Sequence, residues 1–208
     1  MRGLFFTFEG PEGSGKSTHV KLLYEYLEKK NFDVIKVREP GDTRVGEKIR
    51  RIILNPEYKE ISPLTETLLY MASRNQLVEE VILPYLNKGY IVLCDRFLDS
   101  TIVYQGFALK VELDLIKKIA NFVCKGITPD LTIVLDLPIK EGLHRVGKKP
   151  DRIEKRNLAF HRRVREGYFK LSRLYPHRIK IIPVEEKISV TQNKIRELIL
   201  EKICLLNK

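Results

Sequence analysis

Phe5-Phe6-Thr7-Phe8-Glu9-Gly10-Pro11-Glu12-Gly13-Ser14-Gly15-Lys16-Ser17-Thr18 is the stretch whose reading decides the fold. Its first residues are an apolar run expected of a buried strand. A glycine-rich turn follows. Lys16 then opens a helix over 16–29 in which Val20, Leu23 and Leu27 recur at helical spacing. Gly10, Gly15, Lys16 and Ser17 fit the spacing G-x-x-x-x-G-K-[ST]. A polyphosphate demands many donors in a small space, and side chains alone would crowd it. Glycines let backbone N–H groups curl inward around phosphate oxygens. The helix start adds unpaired N–H groups and the positive end of its dipole. In such a loop Lys16 reaches the β/γ-phosphates and Ser17 holds a magnesium ion. The strand before and the helix after separate the motif from a chance match. Gly10, Pro11, Glu12, Gly13, Ser14, Gly15, Lys16, Ser17 and Thr18 are therefore expected to bind the phosphates of a nucleoside triphosphate.

Strands and helices alternate outward from this loop. A short strand is expected over 33–37, then a turn at Arg38-Glu39-Pro40-Gly41-Asp42-Thr43. A helix follows over 45–54 with Ile49, Ile52 and Ile53 inward. Ser62 caps a long helix reaching residue 86, with Pro63 at its first position. Tyr90-Ile91-Val92-Leu93-Cys94 is a near-continuous apolar run, as a central parallel strand requires. It delivers Asp95-Arg96 to the strand's C-terminal end, the edge at which open parallel sheets bind ligands. Residues 99–106 read as a short helix or turn, and 112–124 as a helix. A strand over 131–136 and a helix over 140–146 come next. Residues 147–152 form a basic, breaker-containing loop, a candidate lid of about 145–153. A long helix over 153–174, a strand over 178–184 and a helix over 191–206 complete the chain. The pattern implies an α/β fold in three layers: a five-stranded parallel sheet flanked by helices, with a short lid, in one domain over 1–208.

The 208 residues are 43% hydrophobic and 31% charged, the composition of a soluble globular protein large enough for a real core. No stretch approaches the ~20 apolar residues that span a bilayer. The N-terminus enters a strand with no signal-peptide pattern. Cys94, Cys124 and Cys204 are odd in number and lack metal-ligand spacing. They read as small apolar fillers in a reducing compartment, the cytoplasm. His19, His144, His161 and His177 form no nucleophile or metal pattern. The formal charge of +11 fits three situations: a nucleic-acid partner, a strongly anionic small substrate, or the charge-rich surface of a heat-loving organism.

Asp95-Arg96 at a strand exit is either a surface salt bridge or, beside a phosphate loop, a magnesium-adjacent acid with an arginine that forks onto phosphate. Tyr70 and Arg74 lie four apart and project from one helix face. They are either a core tyrosine with a solvated arginine, or a ring that stacks on a base and a donor to its edge. Arginine has donors only, which suits a carbonyl such as thymine O4 and not the amino group of cytosine. Arg145, Lys148, Lys149 and Arg152 read as a solvated charge run or as a mobile basic segment closing over transferring phosphates.

Taken in order, these blocks resemble the thymidylate kinase family, which phosphorylates dTMP with ATP. The matching blocks are Phe8 to Thr18, Arg38-Glu39-Pro40-Gly41, Gly46-Glu47-Lys48-Ile49-Arg50 and Leu69-Tyr70-Met71-Ala72-Ser73-Arg74. Asp95-Arg96-Phe97, Asp99-Ser100-Thr101, Tyr104-Gln105-Gly106, Pro129-Asp130-Leu131-Thr132 and Asp151-Arg152-Ile153-Glu154 follow. The phosphate loop is generic, whereas the ordered series is specific and spans nearly the whole chain. The resemblance implies that Lys16 and the loop hold ATP, and that Ser17 and Asp95 attend Mg2+. It implies that Glu12 lies near the sugar and acceptor phosphate, that Arg50 and Arg96 grip the dTMP phosphate, and that Tyr70 stacks on thymine. Arg74 is matched to thymine O4, Thr101 and Gln105 to hydrogen bonds with the base, Tyr104 to the place of a ribose 2′-hydroxyl, and Ser100 and Glu39 to the same dTMP pocket. Gly13 and Ser14 leave the loop without an arginine, so a lid arginine, Arg152 or Arg145, is expected to be catalytic with Lys16, Asp95 and Arg96. Asp42 stands where the family has a second glycine, and Phe97 where Tyr or His is common. A homodimer is implied, with no membrane and no nucleic-acid partner. Two other readings compete: a nucleoside monophosphate kinase of other or broad specificity, and a non-catalytic NTP-binding protein.

Overall fold

The structure is a computed structural model that describes residues 2–147 and 149–206. Lys148, one of the expected lid cations, lies outside the described residues. The strands are β1 (Phe5–Glu9), β2 (Val34–Arg38), β3 (Ile91–Asp95), β4 (Leu131–Asp136) and β5 (Ile179–Pro183). They form one sheet in the order β2-β3-β1-β4-β5, every neighbouring pair parallel. β1 is central and buried along its whole length, and its three phenylalanines, Phe5, Phe6 and Phe8, reach both faces of the sheet. In register, Phe8 faces Asp95 and Glu9 faces Val134. Both acids thus leave the sheet at one C-terminal edge.

Side-chain alternation along β1 divides the core. Phe6 and Phe8 pack on one face with Leu23 and Leu27 of α1 (Lys16–Lys29) and with Ile195 and Ile199 of α9 (Ile188–Leu206). Phe5 points the other way, with Val92 and Cys94, towards α3 (Pro63–Leu77) and α6 (Leu113–Val123) through Met71, Leu77 and Ile116. A third cluster joins Val134 and Ile179 to α8 (Leu158–Leu174) through Phe160, Val164 and Tyr168.

Four expectations are corrected. Ile52 of α2 (Arg44–Leu54) is exposed, and only Ile53 is fully buried, because one helix face cannot turn neighbouring residues inward. The long helix is α3, a π-helical turn at Val78–Ile82 and α4 (Leu83–Asn87) in succession, and the wider turn lies just before Pro84, which has no N–H to donate. The short helix or turn near 99–106 is α5 (Leu98–Thr101) running into a second π-helical turn at Ile102–Ala108. The helix expected from 153 begins at Leu158. Asp151 Oδ1 accepts from the N–H groups of Ile153 and Glu154 at 2.8 and 2.9 Å, holding a separate turn, and Asn157 caps α8. The helix before the lid, α7 (Ile139–Val146), is as expected apart from one residue.

Candidate active site

The phosphate loop joins β1 to α1, with Gly15 at φ +84°. Thr43, Ser62 and Asn157 cap α2, α3 and α8 by accepting from Gly46, Thr65 and Phe160 N–H groups. α1 has no side-chain cap. Its first N–H groups are thus left for an anion. Lys16 is buried and folds over the loop, donating to the Gly10 and Pro11 carbonyls at 3.2 and 2.9 Å and to Ser14 Oγ at 3.3 Å. Burial, reinforced by the neighbouring Arg96, lowers its pKa to about 8 against the opposing pull of Glu12 and Asp95. The loop also presses on α7. A Cβ on Gly13 would lie 2.0 Å from the Gly142 carbonyl oxygen, and one on Gly142 would lie 2.2 Å from the Glu12 carbonyl oxygen.

One cavity of about 640 Å³ runs from the loop past the ends of β1 and β3. Glu12 to Thr18 line it, as do Glu39, Arg50, Tyr70, Arg74, Asp95, Arg96, Ser100, Thr101, Tyr104, Gln105 and Arg145. Gly10 and Pro11 stay behind the loop as acceptors for Lys16. Ser17 Oγ donates to Asp95 Oδ2, so a hydroxyl and a carboxylate meet beside the loop. These are hard oxygen donors, the set that suits a magnesium ion.

Arg96 follows β3 with φ +71°, a left-handed backbone that few bulky residues adopt. Its guanidinium donates to Glu12 Oε2 at 2.9 Å and to Ser100 Oγ and the Gly10 carbonyl at 3.2 Å each. Tyr104 donates its hydroxyl to Glu12 Oε1 at 2.7 Å. Burial raises Glu12, but Arg96, Lys16 and the Tyr104 hydroxyl outweigh it and hold the carboxyl at about 2.

Glu9 is fully buried beneath this site and accepts from the Phe97 N–H at 2.8 Å and the Tyr168 hydroxyl at 2.9 Å, and from Ser100. Burial and the nearby Asp99 push its pKa up to about 7. A carboxyl raised in the folded state holds its proton more tightly than in the unfolded chain. Its stabilisation is complete below about pH 4.5 and is lost as pH rises towards 7. Glu12 acts in the opposite sense, losing its stabilisation as pH falls from about 4.5 to about 2. The stability difference between wild type and Glu9→Gln should therefore shift by up to about 3 kcal/mol between pH 4.5 and 7.5. Denaturant melts across that range measure it. A difference independent of pH would mean that Glu9 stays ionised throughout.

At the far end of the cavity Arg74 is fully buried. Its Nε donates to Glu39 Oε2 at 3.0 Å, its Nη2 donates to Glu39 Oε1 and to Thr101 Oγ1, and its guanidinium lies 5.2 Å from the Phe97 ring centroid. Among the described residues Nη1 has Met71 Sδ, a weak acceptor, as its partner. Arg50 Nη1 donates to the Pro40 carbonyl at 2.9 Å. Asp42, standing where a glycine was expected, has φ +55°, a left-handed conformation that aspartate tolerates better than most residues.

The two lid arginines separate. Arg145 lines the cavity, half-exposed, and among the described residues is tied to Glu141 of its own helix at 2.6 Å. Arg152 does not line it. Its Nε donates to the Ile53 carbonyl at 2.7 Å and its Nη2 makes a 2.7 Å ion pair with Glu66 that lacks an aligned hydrogen bond. Arg145→Ala should lower kcat roughly tenfold or more with an unchanged melting temperature, whereas Arg152→Ala should lower the melting temperature first. Steady-state rates and thermal melts on both variants separate the roles. Equal melting temperatures with the larger rate loss in Arg152→Ala would reverse them.

The cavity also takes in Asp151, Glu154 and the segment Val184, Glu185, Glu186 and Ile188 between β5 and α9, none of which was expected from sequence. The DRIE block and the last strand's C-terminal end were visible signals. One cavity joins a phosphate-type loop to Arg50 and Arg96, cationic groups at two places, the make-up of a phosphate-loop kinase, the class in which a phosphoryl group passes between two anionic substrates.

Comparison with known proteins narrows the class. The family pattern described as thymidylate kinase matches residues 8–195. A thymidylate kinase of Exiguobacterium sp. is 44% identical over 205 residues, covering 98% of this chain and 97% of the relative. One of Caldanaerobacter subterraneus subsp. tengcongensis is 50% identical over 183 residues, 88% of each chain. The crystal structure of thymidylate kinase from Ehrlichia chaffeensis superimposes with a TM-score of 0.80 at 30% identity, covering 96% of this chain and all of that one. The chain belongs to the thymidylate kinase family.

Proposed function

We propose that the protein transfers the γ-phosphoryl group of ATP to dTMP, giving dTDP, within one domain whose lid is residues 145–153. The observation that carries this reading is the shared cavity, with the phosphate loop at one end and Tyr70, Arg74 and Gln105 at the other. Arg50 and Arg96 grip the acceptor phosphate. Arg74 Nη1, whose partner among the described residues is a sulfur, donates to thymine O4, and Tyr70 stacks on the ring. Thr101 and Glu39 hold that arginine in place. Tyr104, bonded to Glu12, fills the room a ribose 2′-hydroxyl would need.

The acceptor phosphate has a second pKa of ~6, so it is a dianion at neutral pH and needs no strong base. The task is to bring two polyanions together and neutralise their charge. Lys16 leaves the loop carbonyls for the phosphates, and Arg145 adds charge from the lid. Ser17 and Asp95 would hold Mg2+, which neutralises phosphate charge when bound. Among the described residues no helix is long and apolar enough to cross a membrane. We place the enzyme in the cytoplasm. A homodimer is supported by exposed Val45 on α2, Leu64 and Leu68 on α3, and Phe122 on α6, helices that pack side by side.

The test is ADP release with ATP, Mg2+ and a panel of monophosphates. Turnover with dTMP well above dCMP, dGMP and AMP is expected. Preference for another acceptor would overturn the assignment of the base pocket, and ATP binding without turnover would point to a non-catalytic protein.

A further inference from the structure

Glu66 on α3 is fully buried, does not line the cavity, and carries no role in the chemistry described above. Three side chains converge on its carboxylate. Gln105 Nε2 donates to Oε1 at 2.8 Å. Arg156 Nη2 donates to Oε2 at 2.7 Å, and Arg152 Nη2 lies 2.7 Å from the same oxygen. Arg152 and Arg156 belong to the turn that joins the lid to α8, and Gln105 belongs to the cavity wall.

We infer that Glu66 is a positioning residue for base selection: it fixes the orientation of the Gln105 amide and ties that amide to the root of the lid.

The chemistry is one-sided. A carboxylate between two guanidinium groups offers only acceptors. The end of the Gln105 amide that faces it must be the NH2 group, and Oε1 is the end left for the cavity. A neutral partner at position 66 would accept either end, since an amide is both donor and acceptor. Oε1 complements the N3–H of a 2,4-dioxopyrimidine. It opposes N3 of cytosine, a lone pair, so the wrong base leaves two acceptors face to face. A site built to hydrogen-bond a group discriminates against its absence far better than an apolar niche does. Arg74 tests position 4 of the ring in the same sense, and Gln105 adds an independent test at N3. The two arginines serve a second purpose. They neutralise a charge that would otherwise be buried and unpaired beside the base, a costly arrangement. Because both stand at the lid's C-terminal root, movement there is felt at Gln105 through one carboxylate.

The inference rests on the proposed dTMP kinase activity, so wild-type turnover with dTMP and dCMP is measured first. Absence of a dTMP preference in the wild type overturns that activity and, with it, the role given to Glu66, whereas the variant measurements below overturn the role of Glu66 alone. Given the preference, Glu66→Gln should lower the dTMP-to-dCMP ratio of kcat/KM by roughly tenfold or more. The change should come through KM for dTMP, with KM for ATP within about twofold of wild type. An equal loss on both acceptors, or a parallel rise in both KM values, would make Glu66 a purely structural residue and overturn the inference. If Glu66→Gln does not fold, Arg156→Gln carries the test, because it loosens the same carboxylate from a partly exposed position. A fall of about threefold in the same ratio is expected, and an unchanged ratio overturns the inference.

Discussion

Lys16→Ala should lose well over ~10²-fold in kcat while melting at the same temperature as the wild type or higher. The two halves of this expectation have separate causes. In the folded protein the ammonium is buried beside Arg96, and its pKa falls to about 8. At neutral pH that burial costs the folded state about 3 kcal/mol relative to an unfolded chain in which the lysine is solvated. Truncation removes this cost together with the hydrogen bonds to Gly10, Pro11 and Ser14, terms of comparable size. A lysine depressed in the folded state destabilises most below about pH 8, and the penalty fades as pH rises to about 10.5. Over the same interval the variant's stability relative to wild type should fall, by up to about 3 kcal/mol. Activity has no such compensation, because no neighbouring cation can replace a charge aimed at the moving phosphoryl group. Single-turnover rates with thermal melts at pH 7 and 9.5 check both halves. Near-normal turnover would sink the assignment of the phosphate loop.

Gly142→Ala should cost on the order of 10²-fold in kcat/KM, even though alanine favours a helix over glycine by roughly 1 kcal/mol. Propensity loses here to a backbone clash. The added Cβ would sit 2.2 Å from the Glu12 carbonyl oxygen and 3.3 Å from its carbon. Neither atom belongs to a flexible side chain, so α7 or the phosphate loop must move. Glu12 anchors Arg96 and Tyr104, and α7 carries Arg145, so displacement misaligns the loop and the lid cation together. Gly147→Ala is the control. Its Cβ meets nothing among the described residues within 4 Å, and what opposes substitution is the backbone itself, φ +90° with ψ −163°, a region used almost only by glycine, at a strain of about 1–3 kcal/mol. Gly147→Ala should lower the melting temperature modestly and keep most of the activity. Wild-type kinetics in Gly142→Ala would mean that the loop and α7 do not need this close approach.

Most of the fold was legible because its rules are local. The strand that precedes the loop, the cap at Ser62 and the breakers at Pro40 and Gly41 act within a few residues of themselves. The π-helical turns and the late start of α8 were not, since both depend on contacts that periodicity does not record. The site divides in the same manner. Lys16, Ser17, Asp95 and Arg96 were visible as motifs, and the cavity joins them. Arg145 and Arg152 could not be told apart in sequence, because both are arginines in one basic lid stretch, one at the end of a helix and one at the end of the loop that follows. Glu66 carried no signal at all, being one acid in a helix rich in polar residues.

The sequence by itself determined the parallel α/β fold, the phosphate loop and the residue types able to bind two anions, because hydrophobic period and glycine spacing are properties of neighbours along the chain. Only the tertiary structure decided which arginine faces the cavity and which is sequestered against Glu66 and Ile53. It also decided that Gly142 must be small and that Glu9 is raised while Glu12 is lowered. Burial and through-space charge set these outcomes, and the partners involved come from segments far apart in the chain.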